Sequence, residues 1–266
     1  IMKIQVNGHE TFISTGGRNF DPNGEVLLFI HGSGQSHLSF LLQGRFLANR
    51  GFDVLVPDMP AHGLSKGDAP QTIEEMADWY VDVINAAEIK GNVNVIGHSQ
   101  GGLVAMEMAR RHPEKVKTAT FIATALAIPV NDMLLDLAKN KEPRAIDAMM
   151  DWGHGPAGHM HDHTMPGHSH LAYGRQLMSA NEAGALFTDL SACAAYTDGA
   201  AAAEAVQCPS LCIFSDMDKM TPIKAGRKLA NTLPNVEVVE LKNAGHMSTT
   251  ERPFEVNIAL RKFLAN

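Results

Sequence analysis

The sequence is poor in features that mark several functional classes. Its 266 residues contain no apolar run of about 18, so no membrane-spanning helix and no membrane partner are expected. It has no basic run either. The 22 Lys and Arg are outnumbered by 29 Asp and Glu, and a net charge of −7 argues against a nucleic-acid partner. Cysteine is scarce: Cys193, Cys208 and Cys212 are odd in number and lack metal-site spacing. They read as free thiols in a reducing compartment, and a cytoplasmic location is the expectation. The N-terminus shows no charged-then-apolar leader pattern, so no secretory signal is expected. There is no internal repeat.

What is present suits a soluble globular protein: 45% of the residues are hydrophobic. A chain of this length buries roughly three quarters of its surface on folding, enough for a sizeable core. One α/β unit with an insertion fits the length better than two equal domains. Monomer and homodimer are both compatible with the composition.

Short apolar runs alternate with helical patterns. Residues 2–6 and 9–14 predict two strands joined at Asn7-Gly8, a dipeptide that favours the positive φ angles of a tight hairpin turn. Residues 25–30 and 52–56 are almost unbroken apolar runs, as expected of strands covered on both faces. Helical patterns follow over 39–49 and 73–87, the second opening on Thr72 with Glu75 three residues on, a capping box. Further strands are predicted over 93–96, 116–122, 210–214 and 236–241, and further helices over 103–111, 222–232 and 253–264. This alternation predicts a mostly parallel sheet with helices on both faces. The rhythm breaks between 125 and 205, where the pattern is helical and rich in Ala and Met. The chain therefore divides into a core over 1–124, a helical lid insertion over 125–205, and the remaining core over 206–266.

The strand at 93–96 leads into Gly97-His98-Ser99-Gln100-Gly101, a G-x-S-x-G pattern with a helix beyond it. A strand-to-helix turn of this kind lifts a serine oxygen clear of the backbone and sets helix N–H groups beside it, where they favour negative charge. A serine nucleophile needs a base, and the base needs a third group to fix its tautomer. Loops at the carboxyl ends of strands are where open α/β sheets bind ligands. Two such loops carry Asp216 and Asp218, and His246. Ser99, His246 and one of the two aspartates supply the three roles.

These pieces resemble the α/β-hydrolase fold superfamily over essentially the whole chain, in its serine esterase, C–C hydrolase and haloperoxidase-like branch. The matching stretches are His31-Gly32, Pro60-Ala61-His62-Gly63-Leu64-Ser65, Gly97 to Gly101, Ser215-Asp216-Met217-Asp218, and Ala244-Gly245-His246-Met247 before Glu251-Arg252-Pro253. The resemblance implies an α/β-hydrolase fold. It also implies Ser99 as nucleophile, His246 as base and Asp218 as its orienting acid. The backbone N–H groups of Ser33 and Gln100 would form the oxyanion hole. It departs at Ser215, where the family often has glycine. His31, Asp58 and His62 read as loop scaffolding.

The stretch 152–173 is unusually rich in histidine and methionine. His154, His159, His161, His163, His168 and His170 suggest a metal site, but glycine and proline interrupt the run and no i, i+4 histidine pair sits in an obvious helical frame. No metal and no cofactor are expected, and the stretch reads as a lid loop. Trp152, Met160, Tyr173 and Met178 are the candidate lining of an apolar pocket, methionine making an adaptable wall. The expected function is a carboxylesterase that cleaves small esters through an acyl-enzyme. The motifs leave open a C–C hydrolase, lactonase or perhydrolase using the same residues, and a non-catalytic ligand-binding protein of the same fold.

Overall fold

A computed structural model describes residues 1–159 and 169–265. Among these, eight strands form one sheet: β1 (Met2–Val6), β2 (His9–Ser14), β3 (Val26–Ile30), β4 (Asp53–Pro57), β5 (Val93–His98), β6 (Val116–Ile122), β7 (Ser210–Ser215) and β8 (Val236–Leu241). Their order is β1-β2-β4-β3-β5-β6-β7-β8. β1 pairs with β2, and β2 with β4, antiparallel; every other pairing is parallel. The first hairpin turns at Asn7 and Gly8, at φ 50° and 83°.

The sheet is sandwiched because its central strands are apolar on both faces. Along β3, Val26, Leu28 and Ile30 enter one core with Tyr80 and Leu103. Leu27 and Phe29 alternate into a second core with Phe40 and Leu260. Period-two alternation thus feeds two helical layers from one apolar run. Helices Ile73–Ala86 and Gln100–Arg111 cover the first face, and helices Leu41–Ala48 and Pro253–Leu264 the second.

Some elements begin elsewhere than the pattern predicts. The helix expected over 39–49 starts as a 3₁₀ turn, His37–Phe40, because the Ser36 side chain accepts from the Leu38 N–H and tightens the entry. The helix after Ser99 begins at Gln100 rather than 103, its glycine pair lacking the apolar signal. Between β6 and β7, six helices occur among the described residues: Asp132–Asn140, Glu142–Gly153, Pro156–His159, His170–Met178, Ala185–Ala195 and Gly199–Ala205. Four of them, Asp132–Asn140, Glu142–Gly153, His170–Met178 and Ala185–Ala195, enclose a third apolar core around Leu134, Ile146, Met149 and Leu190. No helix among the described residues is long and apolar enough to cross a membrane.

The turn after β5 is tightly packed. Ser99 has φ 54° and ψ −120°, a conformation that costs a non-glycine residue on the order of 1–3 kcal/mol. A side chain at Gly101 would run into the Ile30 and His31 carbonyls, so the helix reaches the end of β3 only because that position has none. Nothing lies within 4 Å of the corresponding point on Gly91. Gly101→Ala is expected to lower unfolding stability by about 3 kcal/mol or more, and Gly91→Ala by no more than about 0.5 kcal/mol in either direction, read from urea midpoints. Equal midpoints for the two variants would contradict this account of the turn.

Candidate active site

Four strand ends converge on one place. β5 presents Ser99, β7 runs into the loop carrying Asp218, β8 runs into the loop carrying His246, and β3 runs into Gly32-Ser33-Gly34. The Ser99 Oγ lies 2.8 Å from His246 Nε2, and His246 Nδ1 lies 2.9 Å from Asp218 Oδ2. A carboxylate only accepts, so Nδ1 carries the proton and the unprotonated Nε2 accepts from the serine hydroxyl. All three residues are largely buried.

Asp218 is saturated with donors. Its Oδ1 accepts from the Met220 and Thr221 N–H groups, both at 2.8 Å, and its Oδ2 accepts from the Thr221 hydroxyl at 2.8 Å. Burial alone would raise this carboxyl, but the His246 imidazole and the Thr221 donors outweigh it and hold it below the usual carboxylate range. Asp216 plays no such part. Its nearest charged partner is Lys242 Nζ at 4.0 Å, so of the two aspartates the structure brings only Asp218 to the histidine.

The backbone around His246 is held from three sides. The His98 Nε2–H donates to the His246 carbonyl at 2.9 Å, and the two rings lie 5.0 Å apart. Glu251 Oε1 accepts from the Gly245 N–H at 3.1 Å, and its Oε2 from the Gly155 N–H at 2.9 Å. The Met247 N–H donates to the Gly153 carbonyl at 3.0 Å. The segment 153–155 and the histidine loop are thereby tied through one carboxylate. Burial raises the Glu251 carboxyl, in spite of its two N–H donors.

Ser33 and Gln100 flank Ser99. A side chain at Gly32 would touch Ser99 Cβ, which measures how closely that loop approaches. Gln100 follows Ser99 at the first helical position, and neither its N–H nor that of Ser33 meets an acceptor among the described residues. His31 braces the same loop: its Nδ1–H donates to the Gly32 carbonyl at 3.0 Å, and its Nε2 accepts from the Met59 N–H at 3.1 Å. Asp58 accepts from the N–H groups of His37 and Leu64.

A cavity of about 130 Å³ opens over Ser99 and His246, with Leu134, Met149, Trp152 and Leu190 on its apolar side. Trp152 is among the residues lining this cavity. Tyr173 and Met178 do not reach this space. They line a smaller neighbouring cavity of about 30 Å³, which shares Gln35 and Met247 with the first. The Tyr173 hydroxyl donates to the Leu38 carbonyl at 2.9 Å. Met160 falls outside the described residues, as do His161, His163 and His168. His154 and His170 are buried with their rings stacked 5.9 Å apart. No group of three or more potential metal ligands occurs among the described residues.

Sequence reasoning missed Thr221 and Glu251. Each matters only through loops that fold next to it. A hydroxyl three residues after Asp218 was the one local signal available.

Comparison with known proteins agrees with this architecture. The chain is 29% identical over 229 residues to a pimeloyl-[acyl-carrier protein] methyl ester esterase of Chromobacterium violaceum, covering 84% of this chain and 87% of that one. It is 27% identical to a putative carbamate hydrolase, RutD, of Pseudomonas syringae, covering 82% and 86%. Its fold is similar to that of the enol-lactonase from Burkholderia xenovorans LB400, with a TM-score of 0.89, 24% identity and full coverage of both chains. A thermophilic esterase from Thermogutta terrifontis has a TM-score of 0.85 at 22% identity, covering 99% of this chain and 97% of that one. The profile of the alpha/beta hydrolase family matches residues 27–259. With that profile spanning the sheet from β3 onward and the strand ends that carry Ser99, Asp218 and His246, the chain belongs to the alpha/beta hydrolase family.

Proposed function

We propose that this protein is a carboxylic ester hydrolase that cleaves small esters through an acyl-enzyme on Ser99. The observation that carries the reading is the continuous chain from Ser99 Oγ through His246 to Asp218, at 2.8 and 2.9 Å. The esterase relatives support it as well. Ser99 Oγ attacks the ester carbonyl carbon while its proton passes to His246 Nε2. The oxyanion is met by the N–H groups of Ser33 and Gln100, donors worth about 3 kcal/mol each in a transition state. His246 then gives its proton to the departing alkoxide, leaving an ester on Ser99. Water attacks that ester, gives its proton to Nε2, and the carboxylic acid leaves as Ser99 recovers the proton. Asp218 orients the ring throughout and faces the imidazolium when it forms.

The helices of 125–205 act in this reading as a lid on a core made of 1–124 and 206–266. The cavity of about 130 Å³ favours a compact acyl group over a long chain. Among p-nitrophenyl esters, acetate and butyrate are expected to give higher kcat/KM than decanoate. Ser99→Ala is expected to reduce kcat on the best of them at least about a thousandfold. Retention of a tenth of kcat contradicts the mechanism.

Three buried histidines set an acid limit. Burial first, then the neighbouring His62, pushes His31 down to about 4. Burial, then His246, pushes His98 down to about 3, and burial pushes His154 down to about 4. Unfolded, such rings titrate near 6.5. Between about pH 6.5 and 4 the unfolded chain takes up protons that the folded chain refuses, so stability falls with pH by about 1.4 kcal/mol per unit per ring. His62 is shifted the other way, so its contribution is present below its unfolded value and is lost only as pH rises through its folded one. The net sign below pH 6.5 is a loss. Urea unfolding is expected to show stability lower by about 4 kcal/mol or more at pH 5 than at pH 7.5. An unchanged midpoint contradicts the neutral, buried state of these rings.

A further inference from the structure

The loop Gly32-Ser33-Gly34 is gripped at both peptide groups of Gly34 by residues from the helical segment between β6 and β7. The Gly34 N–H donates to Asp189 Oδ2 at 2.7 Å. The Gly34 carbonyl accepts from Asn181 Nδ2 at 2.6 Å. Gly34 has φ +66°, and a side chain there would meet Leu186 and Met178 at 2.8 Å, both from the same segment. The peptide whose N–H Asp189 holds is the one that joins Ser33 to Gly34, directly after the proposed oxyanion donor.

The clamp is anchored in turn to the second loop at this sheet end. His62 Nε2 lies 2.9 Å from the same Asp189 Oδ2, and His62 Nδ1 lies 2.9 Å from the Pro60 carbonyl. Both ring nitrogens face acceptors, so both carry protons and the ring is an imidazolium. Burial would lower His62, but the Asp189 carboxylate raises it, which agrees. Both side chains are 0% exposed. Asn181 reaches the same loop by accepting from the Gly63 N–H at 2.9 Å, and the Glu182 N–H donates to the Ala61 carbonyl at 3.0 Å. On the other side, Gln100 Nε2 donates to the Asp189 backbone carbonyl at 2.8 Å. One acidic residue on helix Ala185–Ala195 therefore touches the residue after Ser33, the residue after Ser99, and a buried cation.

We infer that Asp189, seconded by Asn181, is a positioning residue for the oxyanion hole, so that the helical segment sets the hole's geometry as well as covering the site. This rests on the hydrolase reading given above. A buried ion pair is a poor source of net stability, because desolvating two charges offsets most of their attraction. It is a good source of fixed geometry, because a rigid loop stabilises a transition-state charge without reorganising. Asp189 touches no reacting atom; it holds the next N–H along, that of Gly34, and so fixes the loop that carries the Ser33 N–H.

The variants Asp189→Ala, Asp189→Asn and Asn181→Ala separate positioning from folding. In Asp189→Asn the amide oxygen, in the place of Oδ2, still accepts from both the Gly34 N–H and the His62 Nε2–H. That variant is expected to keep most of the activity. Asp189→Ala is expected to lose about 10- to 100-fold in kcat with KM changed less than about threefold, a smaller loss than deletion of a whole oxyanion donor. Asn181→Ala, less buried and safer for folding, is expected to lose at least about threefold in kcat. Affinity for an alkyl boronic acid, whose tetrahedral adduct on Ser99 occupies the hole, is expected to fall in step with kcat, which a loss of stability alone does not produce. Wild-type kcat and boronate affinity in folded Asn181→Ala and Asp189→Ala overturn the inference and leave the hydrolase standing. If Asp189→Ala does not fold, wild-type values in Asn181→Ala alone overturn it. If the native protein turns over no ester and matches Ser99→Ala, both readings fall together.

Discussion

The imidazole of His246 sits between Ser99 Oγ at 2.8 Å and Asp218 Oδ2 at 2.9 Å, and the surrounding structure serves to keep it there. A ring with one nitrogen on a carboxylate has its tautomer decided, and its other nitrogen is left as an acceptor. The three residues lie on three different strand ends. Their meeting depends on the parallel order β5-β6-β7-β8, which brings those ends to one edge of the sheet. The cost is visible in the strained backbone of Ser99 and in the desolvation of Asp218, offset by Thr221 and the N–H groups of its own loop.

Around that ring the fold places polar contacts for which no local pattern exists. His98 is the residue before Ser99, yet its ring holds the carbonyl of His246, so nucleophile and base loops are joined directly. Glu251 joins the base loop to 153–155 in the helical segment, and Asp189 joins the same segment to the loop of Ser33. The helices between β6 and β7 thus grip the site through two buried carboxylates as well as through apolar contact. In the proposed reaction this couples the helical segment to the groups that meet the developing charge.

How far the sequence disclosed this depends on how local each signal was. β6 and β8 and the closing helix Pro253–Leu264 have the bounds that hydrophobic runs and proline placement predict. Ser99 is legible because glycine, serine and glycine at fixed spacing describe a single turn. His246 and an aspartate of the 216–218 loop are legible from the strand ends that carry them, but the choice of Asp218 comes only with the family resemblance, since Asp216 satisfies the same local pattern and differs solely in where its loop aims it. Thr221, Glu251 and Asp189 are polar residues on ordinary helical or loop stretches, and each has one partner far along the chain: His246, Gly155 and Gly34, at 25, 96 and 155 positions. Pocket residues fared unevenly for the same reason: Trp152 faces the cavity over Ser99, while Tyr173 and Met178 turn to the adjoining one.

The central claim is that the Ser99 hydroxyl is a nucleophile activated by His246. It is tested most directly by treating the folded protein with a fluorophosphonate and mapping the adduct by peptide mass spectrometry. The account predicts stoichiometric modification confined to the peptide containing Ser99, and at least a hundredfold slower labelling when His246 is replaced by Ala. Absence of labelling at Ser99 in folded protein, or labelling unaffected by loss of the imidazole, would contradict it.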